Sequence, residues 1–348
     1  MSPRAEAGVE SYFAAAAQAH ARACAERGTV TVDLAMAGRR LRLTFAGRAL
    51  PHALLGPFAG LRVDRAAHAD AEIALWERGT EPVTAPWNGS NVEAAGAVRG
   101  ADGAVLAVQD PGSGVITAVG EDGARVLYNA PSAAGLPWWE RAAPMRTALH
   151  WALGGPGRGL VHGGAVGDAR GGVLLAGRGG SGKTTLALAA LDAGLHYVAD
   201  DYLLLESGAE ARAHNVFGTA KLDAGHIARF PALATDAALC GPLRDPGEKL
   251  VLDVAVARPA QLRDRLAIRA VALPRITGGP TAVRRVSGAR GLLALAPSTI
   301  FQMPFDDGRV LRLLGTVAQA VPCFELDVGD DVSELPAALD RILTEAVA

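Results

Sequence analysis

Two runs of alternating apolar and polar side chains, TVTVDLAM and RRLRLTFA, lie on either side of Ala37-Gly38. A period of two sends successive side chains to opposite faces, so this stretch predicts a β-hairpin. Before it, residues 5–27 are rich in Ala and predict a helix. After it, PHALLGPFAG predicts a short one. AEIALWER, AVLAVQD, GVITAVG and ARVLYNA read as further strands, with turns at Asp110-Pro111-Gly112 and Glu121-Asp122-Gly123. The first part of the chain therefore predicts a small α+β domain on a largely antiparallel sheet, with no catalytic cluster in it.

Pro131 and Pro137 bracket a boundary that divides the chain into 1–135 and 136–348. WWERAAPMRTALHWALGG predicts a helix kinked at Pro144, with Trp138, Trp139 and Trp151 as packing residues. From Gly159 onward strands and helices alternate, as in an α/β domain. SELPAALDRILTEAVA predicts an amphipathic helix that closes the domain.

Composition excludes several classes. Of 348 residues, 50% are hydrophobic and 20% charged, which is enough apolar material for a core and too little polarity for a disordered chain. A net charge of −2 gives no broad footprint for nucleic acid. Cys24, Cys240 and Cys323 are too scattered for a disulfide framework or a thiolate zinc site, and they fit a reducing compartment. No apolar run is long enough to span a bilayer. The stretch MSPRAEAGVE carries acid early and makes a poor signal peptide. The expectation is a cytoplasmic protein without a nucleic-acid or membrane partner; association with further copies of the chain stays open. Lys and Arg total 34, yet only Lys183, Lys221 and Lys249 are lysine. A chain that uses Arg almost everywhere else draws attention to the places where it keeps a compact ammonium.

Lys183 has the strongest context. Residues 172–194 read GVLLAGRGGSGKTTLALAALDAG. Within them Gly177-Arg178-Gly179-Gly180-Ser181-Gly182-Lys183-Thr184, followed by Thr185, matches the phosphate-loop pattern in full. It also lies between a short apolar strand and an amphipathic helix stopped at Gly194, as the pattern requires. Glycines let backbone N–H groups turn inward around phosphate oxygens, and the helix N-terminus favours negative charge. Lys183 can reach the β- and γ-phosphates of ATP, and the Thr184 hydroxyl can ligand Mg²⁺.

Asp200 and Asp201 interrupt an apolar stretch in LHYVADDYLLLE. Adjacent carboxylates there are costly to bury unless a cation or a proton transfer uses them. One helix and a short turn separate them from Lys183, a spacing that permits their strand to lie beside the phosphate-loop strand. Phosphoryl transfer needs one carboxylate to take the acceptor proton and one to hold the metal. His162, in GLVHGGAVG, could neutralise charge nearby or be purely structural.

HGGAV, GRGGSGKTT and GLHYVADD, in that order, resemble the core of HPr serine kinase/phosphorylase and of HPr-kinase-related serine kinases, some of which act on lasso-peptide precursors. FGTAKLD, EKLVLDV, LPRI and APSTIFQMP resemble later segments of the related kinases more weakly. The resemblance implies a P-loop fold of the HPr kinase/phosphoenolpyruvate carboxykinase type, with His162 catalytic, Asp200 as proton acceptor and Asp201 at the metal. The acidic-Arg-Gly signature of the HPr enzyme itself does not occur downstream, so the related-kinase branch is the better match. That branch implies transfer to a serine hydroxyl of a peptide or protein, which residues 1–135 could recognise. A small-molecule alcohol such as an amino acid or sugar, and a nucleotide sensor without catalysis, are the rival readings.

Lys221 and Lys249 each border a predicted strand and could hold phosphates or an acidic acceptor, or simply protect strand edges. Ser298-Thr299 could line a nucleotide or acceptor groove but reads better as a helix cap. Arg275 and Arg285 are candidate phosphate ligands, and Glu206 is a candidate metal ligand.

Overall fold

The hairpin forms as its alternation predicts. Strands β1 (Thr29–Met36) and β2 (Arg39–Ala46) pair antiparallel, from Thr29 opposite Ala46 to Met36 opposite Arg39. Ala37 and Gly38 turn with φ of 50° and 72°, the left-handed pair that lets a two-residue loop follow the twist of its strands. This computed structural model describes residues 3–79, 83–85, 87, 96–98, 105–121, 123–236, 247–303 and 308–348. Asp122 and Cys240, named above, lie outside them.

The predicted first helix is α1 (Pro3–Arg27). After the hairpin come α2 (Ala49–Leu54), β3 (Arg62–Val63), β4 (Ala71–Glu77), β5 (Leu106–Gln109), β6 (Ile116–Val119) and β7 (Arg125–Ala130). They build a seven-stranded sheet in the order β3-β1-β2-β4-β7-β6-β5. The expected antiparallel character fails at its centre, where β2, β4 and β7 run parallel. Each of those pairs is joined by a crossover rather than a tight turn: α2 and β3 intervene before β4, and β5 and β6 before β7. The helix expected to kink at Pro144 is two helices, α3 (Trp138–Ala142) and α4 (Arg146–Leu153). Met145 between them takes a φ of 59°. The buried Glu140 carboxylate secures the break, accepting from Met145 N–H at 2.9 Å and Tyr128 O–H at 2.8 Å. The chain divides into two compact units, one of Met1–Gly154 with Phe301–Asp306 and one of Gly155–Ile300 with Asp307–Ala348.

The second unit is mixed α/β. It opens with three strands in succession, β8 (Arg158–His162), β9 (Gly164–Asp168) and β10 (Gly171–Leu175), and then α5 (Lys183–Asp192). Next come β11 (His196–Ala199), β12 (Tyr202–Glu206), β13 (Arg212–His214), β14 (Thr219–Leu222), α6 (Pro231–Ala234), β15 (Leu250–Asp253) and α7 (Val254–Ala257). The long β16 (Arg265–Ile276), β17 (Ala282–Val286), α8 (Gly288–Ile300), α9 (Arg309–Ala320), β18 (Cys323–Val328) and α10 (Leu335–Val347) complete it. The main sheet runs β11-β9-β10-β16-β13-β12-β8, with β18 also on β16 and β17 on β18, while β14 and β15 form a separate two-stranded ladder. One apolar core gathers Leu186 and Leu191 of α5 with Leu339 and Ile342 of α10. Another gathers Leu295 of α8 with Leu313 and Val317 of α9.

The acid pair lies in the bend between β11 and β12, and β11 does not sit beside β10, the strand that leads into the glycine loop. β9 comes between them, antiparallel to both β11 and β10. Gly164 permits the close approach, since a Cβ there would stand 2.9 Å from Ala199 O. The end of β11 is pinned from the far side by buried Asn215, whose amide donates to Val198 O at 2.6 Å and Phe217 O at 2.9 Å. Asn215→Ala is expected to destabilise the protein by about 2–3 kcal/mol, because it strands buried carbonyls. Denaturant unfolding would read this as a lowered midpoint, and an unchanged midpoint would contradict it.

Candidate active site

After Leu175 the chain turns through residues 177–182 into α5. Gly177, Gly180 and Gly182 take φ of 141°, 76° and 108°, a backbone that L side chains rarely adopt. At Gly177 a Cβ would also stand 2.6 Å from Ser181 Oγ. Lys183, buried at the start of α5, donates through its ammonium to Gly177 O at 2.5 Å and Arg178 O at 3.2 Å. Burial lowers its pKa, the charges of Asp201 and Asp200 oppose that, and Lys249 adds to the lowering. Ser181 Oγ is buried without a hydrogen-bond partner among the described residues.

Residues 179–185 wall a cavity of about 290 Å³, which is also lined by His162, Asp201 and Lys249. Of the expected phosphate-loop residues Gly177 and Arg178 are off this wall; Gly177 fixes the turn.

The two carboxylates diverge. Asp200 is buried and does not line the cavity. The Tyr197 hydroxyl lies 3.1 Å from its Oδ1, and Lys221 N–H donates to its Oδ2 at 3.2 Å. Burial and then the neighbouring Asp201 charge push its carboxyl up to about 6. Asp201 is the carboxylate on the wall. Its Oδ1 lies 2.9 Å from His162 Nε2, and its Oδ2 forms an ion pair with the Lys221 ammonium. Burial works to raise Asp201, but the Lys221 charge and the His162 hydrogen bond hold it well below the usual carboxylate range. The part expected of Asp200, presenting a base to the acceptor, is therefore geometrically open to Asp201 instead.

Each partner arrives by a separate element. β8 pairs with β12 with His162 opposite Tyr202, which sets the imidazole beside Asp201. The His162 backbone N–H donates to Thr299 Oγ1 at 3.2 Å. Ser298 and Thr299 thus belong to the last turn of α8, where Thr299 supports β8 and does not cap a helix. β14 carries Lys221, whose backbone serves Asp200 while its ammonium serves Asp201. The β14-β15 ladder then brings Lys249 to the cavity wall. All three lysines of the chain meet at one site.

Other candidates fall elsewhere. Arg275 pairs with Asp327 at 2.7 Å and Glu206 with His214 at 2.8 Å, Arg285 is exposed on β17, and none of these three lines the cavity. His226, Arg229, Phe230 and Ile276 do line it. The first three follow the turn after β14, where no local pattern in the sequence marks them, and Ile276 ends β16 as the last residue of LPRI.

For Mg²⁺ the donor chemistry fits in part. The Thr184 hydroxyl is a hard oxygen on the wall, whereas both oxygens of Asp201 are already engaged. Among the described residues no three His, Cys, Asp or Glu side chains form a metal cluster. A Mg²⁺ held chiefly by phosphates and water needs none.

No family model matches the chain, and no curated protein does. A solved structure similar to it is the Hpr(Ser) kinase/phosphatase from Coxiella burnetii. The two share 13% identity at a TM-score of 0.32, over 53% of this chain and 88% of that one. The relationship is distant and assigns no residue a role.

The raised Asp200 carboxyl carries a sign for stability. Between the ordinary carboxylate range and about pH 6 the folded state holds this proton more tightly than the unfolded state. Stability from this group is therefore present at low pH and lost as pH rises through about 6. Asp200→Asn should accordingly stabilise the protein at pH 7.5 by about 1–3 kcal/mol. The gain should fade below pH 6 and vanish near pH 4, on the order of the unfolded pKa. Melting curves against pH test this, and a wild type more stable than the variant at pH 7.5 would refute it.

Proposed function

We propose that the protein is an ATP-dependent kinase that transfers the γ-phosphoryl group to a hydroxyl, with a serine of a peptide or protein as acceptor. The observation that carries this reading is the single cavity shared by the glycine loop with Lys183 and by Asp201 with its two partners. Phosphoryl transfer is mostly positioning and charge stabilisation, and this arrangement supplies both. Loop N–H groups and Lys183 receive the triphosphate. The acceptor oxygen attacks the γ-phosphorus as the bond to the β–γ bridging oxygen breaks, and ADP departs with that electron pair. The hydroxyl proton passes to Asp201, whose oxygens each keep a lone pair beside the bond to His162 or Lys221. Lys221 and His162 hold Asp201 ionised and aimed, and Lys249 adds positive charge at the cavity wall. Thr184 would hold Mg²⁺, which when bound neutralises phosphate charge. Leu222, Ile227 and Phe230 give the cavity an apolar stretch suited to a nucleoside. The serine acceptor rests on the order of the HGGAV, GRGGSGKTT and GLHYVADD motifs, and labelled ATP with a fractionated lysate and mass spectrometry would identify it.

Asp201→Asn is expected to lower kcat by about a thousandfold, the range for losing a general base, while the Kd for ATP stays within about threefold. Lys183→Ala should weaken binding and turnover together. Phosphoryl transfer from labelled ATP, measured alongside nucleotide binding, decides the matter. Near-normal turnover in Asp201→Asn would sink this assignment of the base.

A further inference from the structure

The proposed chemistry leaves Tyr197 without a part, although it is wholly buried and its hydroxyl lies 3.1 Å from the Asp200 carboxylate. Its ring is wholly enclosed in the core under α5. Its hydroxyl reaches out of that core and donates to Thr219 O at 2.8 Å, 3.1 Å from Asp200 Oδ1. Thr219 stands two residues before Lys221 on β14, and Lys221 N–H donates to the other oxygen of Asp200. The contacts close a ring from the Tyr197 hydroxyl to the Thr219 carbonyl, along β14 to the Lys221 N–H, through the Asp200 carboxylate and back. β14 is not a strand of the nine-stranded sheet. Its position against the acid pair is therefore not set by that sheet's hydrogen-bond ladder, and the ring supplies side-chain bonds in its place. A phenylalanine would fill the core equally well, so the hydroxyl is the informative atom.

We propose that Tyr197 is a positioning residue: its hydroxyl fixes β14 against Asp200 and thereby sets the Lys221 ammonium on Asp201. The consequence for turnover rests on the kinase reading; the consequence for Lys221 does not.

The scarcity of lysine makes the test direct. With three lysines in the chain, ¹H–¹⁵N spectra of the side-chain ammonium groups contain three signals, assigned through Lys183→Arg and Lys249→Arg. Tyr197→Phe should shift and broaden the Lys221 signal and leave that of Lys249 in place. It should also lower kcat about tenfold, the scale of a small misplacement of a catalytic group, with the KM for ATP changed less than about twofold. In a Lys221→Met background the same replacement should cost less than about twofold in kcat, because the two groups act as one unit. An unchanged Lys221 signal, or equal losses in the two backgrounds, would overturn the proposal. Should Tyr197→Phe fail to fold, Asp200→Ala opens the same ring from its other side and must move the same signal. If the wild type transfers no phosphoryl group, the kinase reading falls and the ammonium spectra still decide the role of Tyr197.

Discussion

Two neighbouring carboxylates inside a protein repel one another and lose their hydration, and everything around the site of the second unit answers that problem. Isolated buried charge costs far more than a fold can spare, so it must be paired, hydrogen-bonded or neutralised. The chain uses all three remedies. Asp201 takes the Lys221 ammonium and the His162 imidazole, while Asp200 takes a backbone N–H and a tyrosine contact and has its ionised form disfavoured. These partners come from β8, β11 and β14, so satisfying the pair also ties three separate elements together at one point.

What was legible in the sequence was what is contiguous. The turn between β10 and α5 is built from consecutive residues, so its glycines mark it, and the helix that follows stops at Gly194 with a φ of 80° as its signal indicates. The hairpin, the first helix and the closing helix are equally local. The order of strands is not. Nothing in residues 159–206 announces that β9 separates β11 from β10, because that follows from which edges are free when the sheet assembles. The parallel centre of the first sheet is hidden in the sequence for the same reason.

Within the site, residue type was easier to read than direction. Asp200-Asp201 stood out as costly, yet which carboxylate faces the cavity depends on how the chain turns between β11 and β12. The turn after β14 gave no sign that it would bring His226, Arg229 and Phe230 to the wall. Tyr197 looked like one more apolar strand residue, since a core position shows in a sequence and a hydroxyl's partners do not. The rarity of lysine was the one compositional clue that crossed these gaps, because a demand for an ammonium in place of a guanidinium survives whatever the topology turns out to be.

That convergence also makes the protein's amine chemistry local. Guanidinium groups, which supply nearly all its other positive charge, resist acylation, carbamoylation and imine formation at ordinary pH, whereas lysine amines undergo them. Every lysine of this sequence stands at the glycine loop, the acid pair or the cavity wall between them. A reagent or metabolite that acylates lysine therefore finds no lysine outside that site. Each lysine adduct it leaves would be a record of events at one site.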